Sequence, residues 1–495
     1  MVHTLKRIIS KKELVGLIDK HFHSMLNQDE YEILQLEPSE LITSNRLDLA
    51  VKILYLEMKM HKDVSFAKEL YIQHINSFTL GSFAEPGNAK KSDVQSYLRD
   101  FDSIYGSVLT DGLNETRSLI PLSISQRITN GAHRVASAYL TNKKVPAVQL
   151  NTPDDSYDAK FFLNRGMSSK EVEVSVTKFI ELADKCYIAL VWPSASGHQK
   201  QLDKLIPNII YQTRISLNFN GAHNLLSQVY FNESWLGSRD NNYPGAKNKL
   251  VECFKNFDDL RVIAFQVASL EEVLLIKDKI RSVFSIGKHS VHISDTKEEA
   301  TRVARILFNE NSVHFLNYGN PAKYKSTYKK LEYFKSFIQK NDISAANVVL
   351  DASTILSLYG IRESNDIDYL SEKNNIKYPD KLIEPHDDEL EFHKEEKNNL
   401  IFNPELYFYY DDLKFISFQQ LFKMKRNRFE VKDQNDISLM KALIDQKLFK
   451  TFMARIKQKI YFNRVRFKLI LMDALRVIGL YSLIRFIYRF LLHKK

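Results

Sequence analysis

The stretch VVLDASTILSLYGIRESNDIDYL, residues 348–370, constrains this chain more than any other. It reads as strand, helix, turn, strand, and ends on two aspartates, Asp366 and Asp368, one residue apart. Side chains alternate across a strand, so both carboxylates leave the same face. Two carboxylates on one face can hold Mg²⁺, or Mn²⁺, against a phosphate-bearing substrate. They can equally form the polar edge of an ordinary sheet. The choice separates an enzyme from a binding or structural protein.

The chain has 495 residues, room for about three domains. At 44% hydrophobic and 26% charged it can bury real cores. Cys186 and Cys253 are its only cysteines, which argues against a disulfide framework or a cysteine zinc site and for a reducing cytosol. The N-terminus has no long apolar stretch and no small-residue cleavage site, so no signal peptide is expected. The net charge of +10 is a property of the C-terminus. Residues 451–495 hold eleven of the 70 Lys and Arg and one of the 60 acids, leaving 59 of each over the other 450 residues. A nucleic-acid enzyme would spread positive charge over its body, so nucleic acid is disfavoured as a partner.

Periodicity divides the chain into an α/β, or α+β, multidomain arrangement. Residues 1–77 read as a helical N-terminal region. Residues 78–152 mix a glycine-containing loop, a helix over Val94–Leu109, a strand at Leu119–Ser123, a helix after Gly131 and a strand at Pro146–Leu150. Residues 153–322 alternate strand candidates (CYIALVW, LRVIAFQV, HSVHI) with helical stretches, which favours a central α/β domain. Residues 323–450 contain the opening motif, and 451–495 form a basic apolar tail.

In PLSISQRITNGAHRVASAYL a strand leads into Gly131 and a helix starts near His133. Glycine lets backbone approach a ligand, a helix start favours an anion, and His133 and Arg134 add donors suited to phosphate. The same residues could simply cap a helix. Together with FDSIYGSVLTDG, IPLS and VPAV, the motif resembles the ParB/sulfiredoxin-type domain over about 70 residues, which implies a nucleotide-phosphate site at the Gly131-His133-Arg134 turn. The sulfiredoxin cysteine is replaced by Ala132, so thiol chemistry is excluded. GSFAEPG places Gly81 and Ser82 as further phosphate-binding candidates and Glu85 as a candidate base, with His133 also a catalytic candidate.

The order strand, helix, Asp-x-Asp strand, then the basic stretch LKFISFQQLFKMKRNRFEVKDQNDI resembles the nucleotidyltransferase superfamily, especially its AbiEii-like and LicD-like branches, over about 120 residues. By that resemblance Asp366 and Asp368 match the metal pair, Ser353 the serine of the glycine-serine phosphate turn, Lys425 and Lys432 the later basic residues, and Asp436 a late acid; Arg362 joins the phosphate-binding candidates. Two departures stand out: Ala352 replaces the turn's glycine, and Asp351 sets a negative charge beside it. Glu389 or Glu391 could supply a third carboxylate.

In the middle region GAHN and HSVHISD make His223, Asn224, His289, His292 and Asp295 candidate sugar contacts. Asp295 or Thr296 caps the following helix. No Walker loop or dinucleotide fingerprint is present. The tail is too interrupted by Asp473, Arg476, Arg485 and Arg489 to span a bilayer, but its apolar residues and snorkelling arginines suit an anionic membrane surface.

The combined pattern resembles transferases of capsule and O-antigen loci. That resemblance implies a cytoplasmic enzyme, peripheral on the inner face of the membrane. It would move a phosphoribosyl, nucleotidyl or phosphoryl group from a phosphorylated sugar or nucleotide donor to a glycan or lipid-linked acceptor. The alternative is a nucleotide-binding scaffold with a degenerate nucleotidyltransferase domain, a reading that Ala352 favours.

Overall fold

A computed structural model describes residues 7–61, 65–84, 92–256, 258–373 and 376–445, with scattered positions between 467 and 481. Glu85 and most of the tail lie outside the described residues. The fold is mixed α and β, built on three separate sheets.

The first sheet contains β1 (Arg7–Ser10), β2 (Glu30–Leu36), β3 (Ile120–Leu122) and β4 (Val145–Gln149), in the order β1-β2-β4-β3. The N-terminal region is therefore not wholly helical, and a helix, Ser65–Thr79, runs through residue 77. In β2, Tyr31 and Ile33 are buried and alternate with exposed Glu30 and Glu32, the period of a half-buried strand. Its partner β4 lies far along the chain, with Leu36 opposite Val145. Local helical periodicity carries no trace of such a pairing.

The second sheet contains β5 (Cys186–Val191), β6 (Ile209–Ile215), β7 (Leu260–Gln266) and β8 (Val291–Ile293), in the order β6-β7-β5-β8. Every pairing is antiparallel. The helices between strands suggested an α/β domain; β7 inserts between β5 and β6, and strand–helix alternation does not reveal which strands pair. Ile188, Leu190, Val262 and Ala264 face one core, while Tyr187, Ala189, Val191, Ile263 and Phe265 face another.

The first of these cores runs from Leu41 to Leu316 and crosses the expected boundaries at 77/78 and 152/153. The first three sequence segments thus all contribute side chains to this core.

The third sheet contains β9 (Val348–Asp351), β10 (Ile367–Ser371), β11 (Ile383–Pro385), β12 (Tyr407–Tyr410) and β13 (Leu413–Ile416), in the order β11-β10-β9-β13-β12. It is mixed: β9 runs antiparallel to β10 and parallel to β13. Its own core includes Val349, Leu350, Ile355, Phe408 and Phe415, with Phe315, Met58 and Ala67 joining from outside. His61 Nδ1 meets Glu372 Oε1 at 2.5 Å and fastens the end of the helix Asp48–Met60 to this sheet. Among the described residues, no helix is long and apolar enough to cross a membrane.

Candidate functional site

Asp351 is the last residue of β9, and antiparallel pairing sets it directly opposite Asp368. Asp351 is fully buried. Its Oδ1 accepts from the Ala352 amide at 2.7 Å. Its Oδ2 accepts from His386 Nδ1 and from His393 Nε2, both at 2.8 Å. Burial alone would raise its pKa, but the two imidazoles outweigh burial and hold the carboxyl well below the usual range.

Ala352 adopts φ 51° and ψ −121°, a conformation natural to glycine. An alanine makes this turn. It leads into the helix Ser353–Leu358. Ser353 Oγ donates to Asp366 Oδ1 at 3.0 Å, and the Ser353 amide faces Asp368. One residue thus engages both carboxylates of the Asp-x-Asp pair.

Burial pushes Asp368 up to about 6, and the negative charges of Asp366 and Asp351 add to the rise, against the opposing effect of His386. Burial lowers His386, but its hydrogen bond to Asp351 and the neighbouring acids raise it above its ordinary value. Among the described residues, neither Asp366 nor Asp368 forms an ion pair with Lys or Arg. The late acids contrast with them. Asp436 takes a bidentate pair from Arg362 at 2.6 and 2.9 Å. Lys425 is buried and reaches both Asp433 and Asp436 at 2.9 Å. Arg428 joins Asp433 to Glu389, at 2.9 and 3.2 Å. Lys432 is exposed and meets Glu430 at 3.1 Å. Arg362 and Lys425, the candidate phosphate ligands, are therefore neutralised within the chain. Glu389 is committed to Arg428, and Glu391 is exposed.

The N-terminal motif belongs to a different sheet and core. Gly131, at φ 93°, precedes the helix Ala132–Thr141, and a side chain there would strike Ile120. His133 Nε2 pairs with the Tyr71 hydroxyl at 2.8 Å, with Phe101 edge-on at 4.4 Å between ring centres. Arg134 donates to Ser118 Oγ and folds back over Gly131. Gly81 has a left-handed backbone, and Ser82 Oγ donates to Thr79 O at 2.8 Å.

The central candidates do not converge on one another. His223 meets the Asn242 carbonyl at 3.2 Å, and Asn224 donates to Leu316 O and Gly319 O. His292 pairs with Glu299 at 2.9 Å, and Asp295 pairs with Lys277 at 2.9 Å. The helix cap is Thr296, not Asp295. His289 closes a short 3-10 turn, and its Nδ1 has no hydrogen-bond partner.

A cavity of about 180 Å³ lies between the helix Asp48–Met60 and the third sheet, lined by Glu57, Lys178, Glu181, Arg305, Tyr407 and Lys414 among others. It touches none of the carboxylates of β9 and β10. The acids of that cavity are paired, Glu57 with Lys178 and Glu181 with Arg305. Asp366 and Asp368, which form no ion pair with a described Lys or Arg, therefore mark the neighbouring ends of β9 and β10 as the candidate site.

Sequence reasoning found Asp366, Asp368 and Ser353, and noticed Asp351 only as a departure. It missed His386 and His393. Their signal is PHDDELEFH, two histidines seven residues apart just beyond a strand, which becomes meaningful only when both rings are seen to end on Asp351. No family model, curated protein or solved structure matches the chain.

Proposed function

We propose that the β9–β10 edge is the centre of a divalent-metal-dependent transferase. In this reading, Asp366 and Asp368 hold Mg²⁺ or Mn²⁺, whose oxygen preference suits two carboxylates. A bound ion there would neutralise the phosphate oxygens of a diphosphate-type donor. The observation that carries the reading is the pair itself. Two carboxylates lie one residue apart, unpaired with any described Lys or Arg, while Asp433 and Asp436 nearby are fully paired. Crowded negative charge is costly to bury without a cation. Ser353 orients both carboxylates, and Asp351 and Asp368 set the charge at the sheet edge.

The substrate side follows from the resemblance to capsule and O-antigen transferases. The donor is a phosphorylated sugar or nucleotide, the acceptor a glycan or lipid-linked glycan, and the place the inner membrane face. The Gly131-His133-Arg134 turn, on another sheet, serves as a separate phosphate-type site. The test is metal-dependent turnover against a donor panel. Asp366→Asn and Asp368→Asn should each lower turnover by at least about 100-fold, the scale of lost electrostatic stabilisation, with the fold retained. Full turnover in either variant would remove the pair from the reaction.

A second reading, a nucleotide-binding scaffold, is favoured by one observation: Arg362 and Lys425 spend their charge on Asp436 and Asp433. Donor binding without turnover by the wild-type chain would select it.

A further inference from the structure

We propose that Asp351, His386 and His393 form a second metal site, which takes a divalent ion of the zinc class and is distinct from the Asp366–Asp368 pair. The three ligand atoms, one carboxylate oxygen and two ring nitrogens, lie within 4.8 Å of one another. The donor set differs in kind from the aspartate pair. Imidazole suits Zn²⁺, Co²⁺, Ni²⁺ or Cu²⁺, whereas carboxylates and water suit Mg²⁺ and Mn²⁺.

The arms of the site are fixed from behind, as metal ligands usually are. The other oxygen of Asp351 is held by the Ala352 amide at 2.7 Å. Gln420 Nε2 donates to the His393 carbonyl at 2.8 Å and lies 3.5 Å from the ring's Nδ1. The His386 amide donates to Tyr369 O at 2.8 Å, which ties its segment to β10. Three chain segments thus present their donors to one point: the end of β9, the turn after β11 and the short helix Leu390–His393.

Both ring nitrogens lie 2.8 Å from Asp351 Oδ2, so the three ligand atoms converge on one point. Ligands about 2.0–2.1 Å from one tetrahedral ion lie about 3.3 Å apart. Each ring nitrogen is about half an ångström closer to Asp351 Oδ2 than that spacing. Asp351 and His393 side chains are wholly buried, and His386, at 12% exposure, is the edge that meets solvent. Three protein ligands leave a fourth position open, and Asp368, opposite Asp351, is the neighbouring carboxylate.

The probe is Co²⁺ added to the untagged full chain and read by its visible d–d bands. The expected result is one Co²⁺ per chain with bands of low-coordinate cobalt. His386→Ala and His393→Ala should each weaken binding at least tenfold, and Asp366→Asn should leave it within twofold. X-ray absorption on the Zn²⁺-loaded wild-type chain should show two imidazole nitrogens at about 2.0–2.1 Å; it needs no variant to fold. The proposal is overturned if the wild-type chain gives no bands, or if both histidine variants keep them at full strength. It is also overturned if Asp366→Asn alone abolishes them, which would place the ion on the aspartate pair. Each such result would leave the histidines as hydrogen-bond donors to a buried carboxylate. The readout does not involve donor turnover, so it stands or falls apart from the transferase reading.

Discussion

Ala352 sits at φ 51° and ψ −121°, where an L-residue is strained by about 1–3 kcal/mol. Ala352→Gly should relieve that strain at an entropic cost of about 0.5–1 kcal/mol in the unfolded chain. A net gain of about 1 kcal/mol in urea unfolding is expected, and a lower midpoint would show that the buried methyl group matters more than the strain. Lys414 offers a second test at this scale. It is buried on β13, its ammonium bonded to the Ala346 and Ile401 carbonyls and, among the described residues, to no carboxylate. Burial lowers its pKa to about 7. The unfolded chain, at the ordinary lysine value, binds more protons than the folded chain between about pH 7 and 10. The contribution of Lys414 to stability therefore rises with pH across that window, at up to about 1.4 kcal/mol per pH unit. Lys414→Met should flatten the measured stability–pH curve there. An unchanged slope would mean that the folded lysine keeps its proton.

The helices Phe418–Arg428 and Val431–Asp445 are joined by charge as well as by packing. Lys425 lies between Asp433 and Asp436, and Arg428 and Arg362 complete the network. Removing one partner of a buried pair leaves the other uncompensated, at about 3–5 kcal/mol. Lys425→Ala should therefore cost several kcal/mol in chemical denaturation. Lys432→Ala, which removes an exposed pair with Glu430, should cost about 0–1 kcal/mol. Equal costs would mean that the network is not the fastening between these helices. In sequence the two lysines look interchangeable, since both follow the sheet in a basic run. Their difference is one of burial, which is set by where each helix face lands.

Across the whole molecule, charge is separated between a neutral body and a basic end. The eleven Lys and Arg of residues 451–495 are interleaved with aromatic and aliphatic side chains. Each basic residue near an anionic surface contributes about 1 kcal/mol, screened by salt, and apolar insertion adds a part that salt does not remove. A chain ending at Lys450 should lose co-sedimentation with anionic vesicles yet keep donor binding, whose motifs lie upstream. Equal vesicle binding by the shortened chain would end the anchor reading.

The chain's sequence determined most element types and the location of the acidic pair. Local patterns decided these: the short apolar runs CYIALVW and LRVIAFQV set between helical stretches, i and i+2 spacing in Asp366 and Asp368, and a helix start after Gly131. These are local properties, fixed by side-chain direction within a few residues. Tertiary structure alone decided the strand partners, the continuity of one core across three expected domains, and the site's second half. β2 joins β4 and β7 inserts between β5 and β6 through pairings that local periodicity does not encode. Asp351 looked like a misplaced charge until the fold brought in His386 and His393 from 35 and 42 residues away. Burial removed water as a partner for that carboxylate, so its oxygens rely on the adjacent Ala352 amide and on the two imidazoles that the fold brings in.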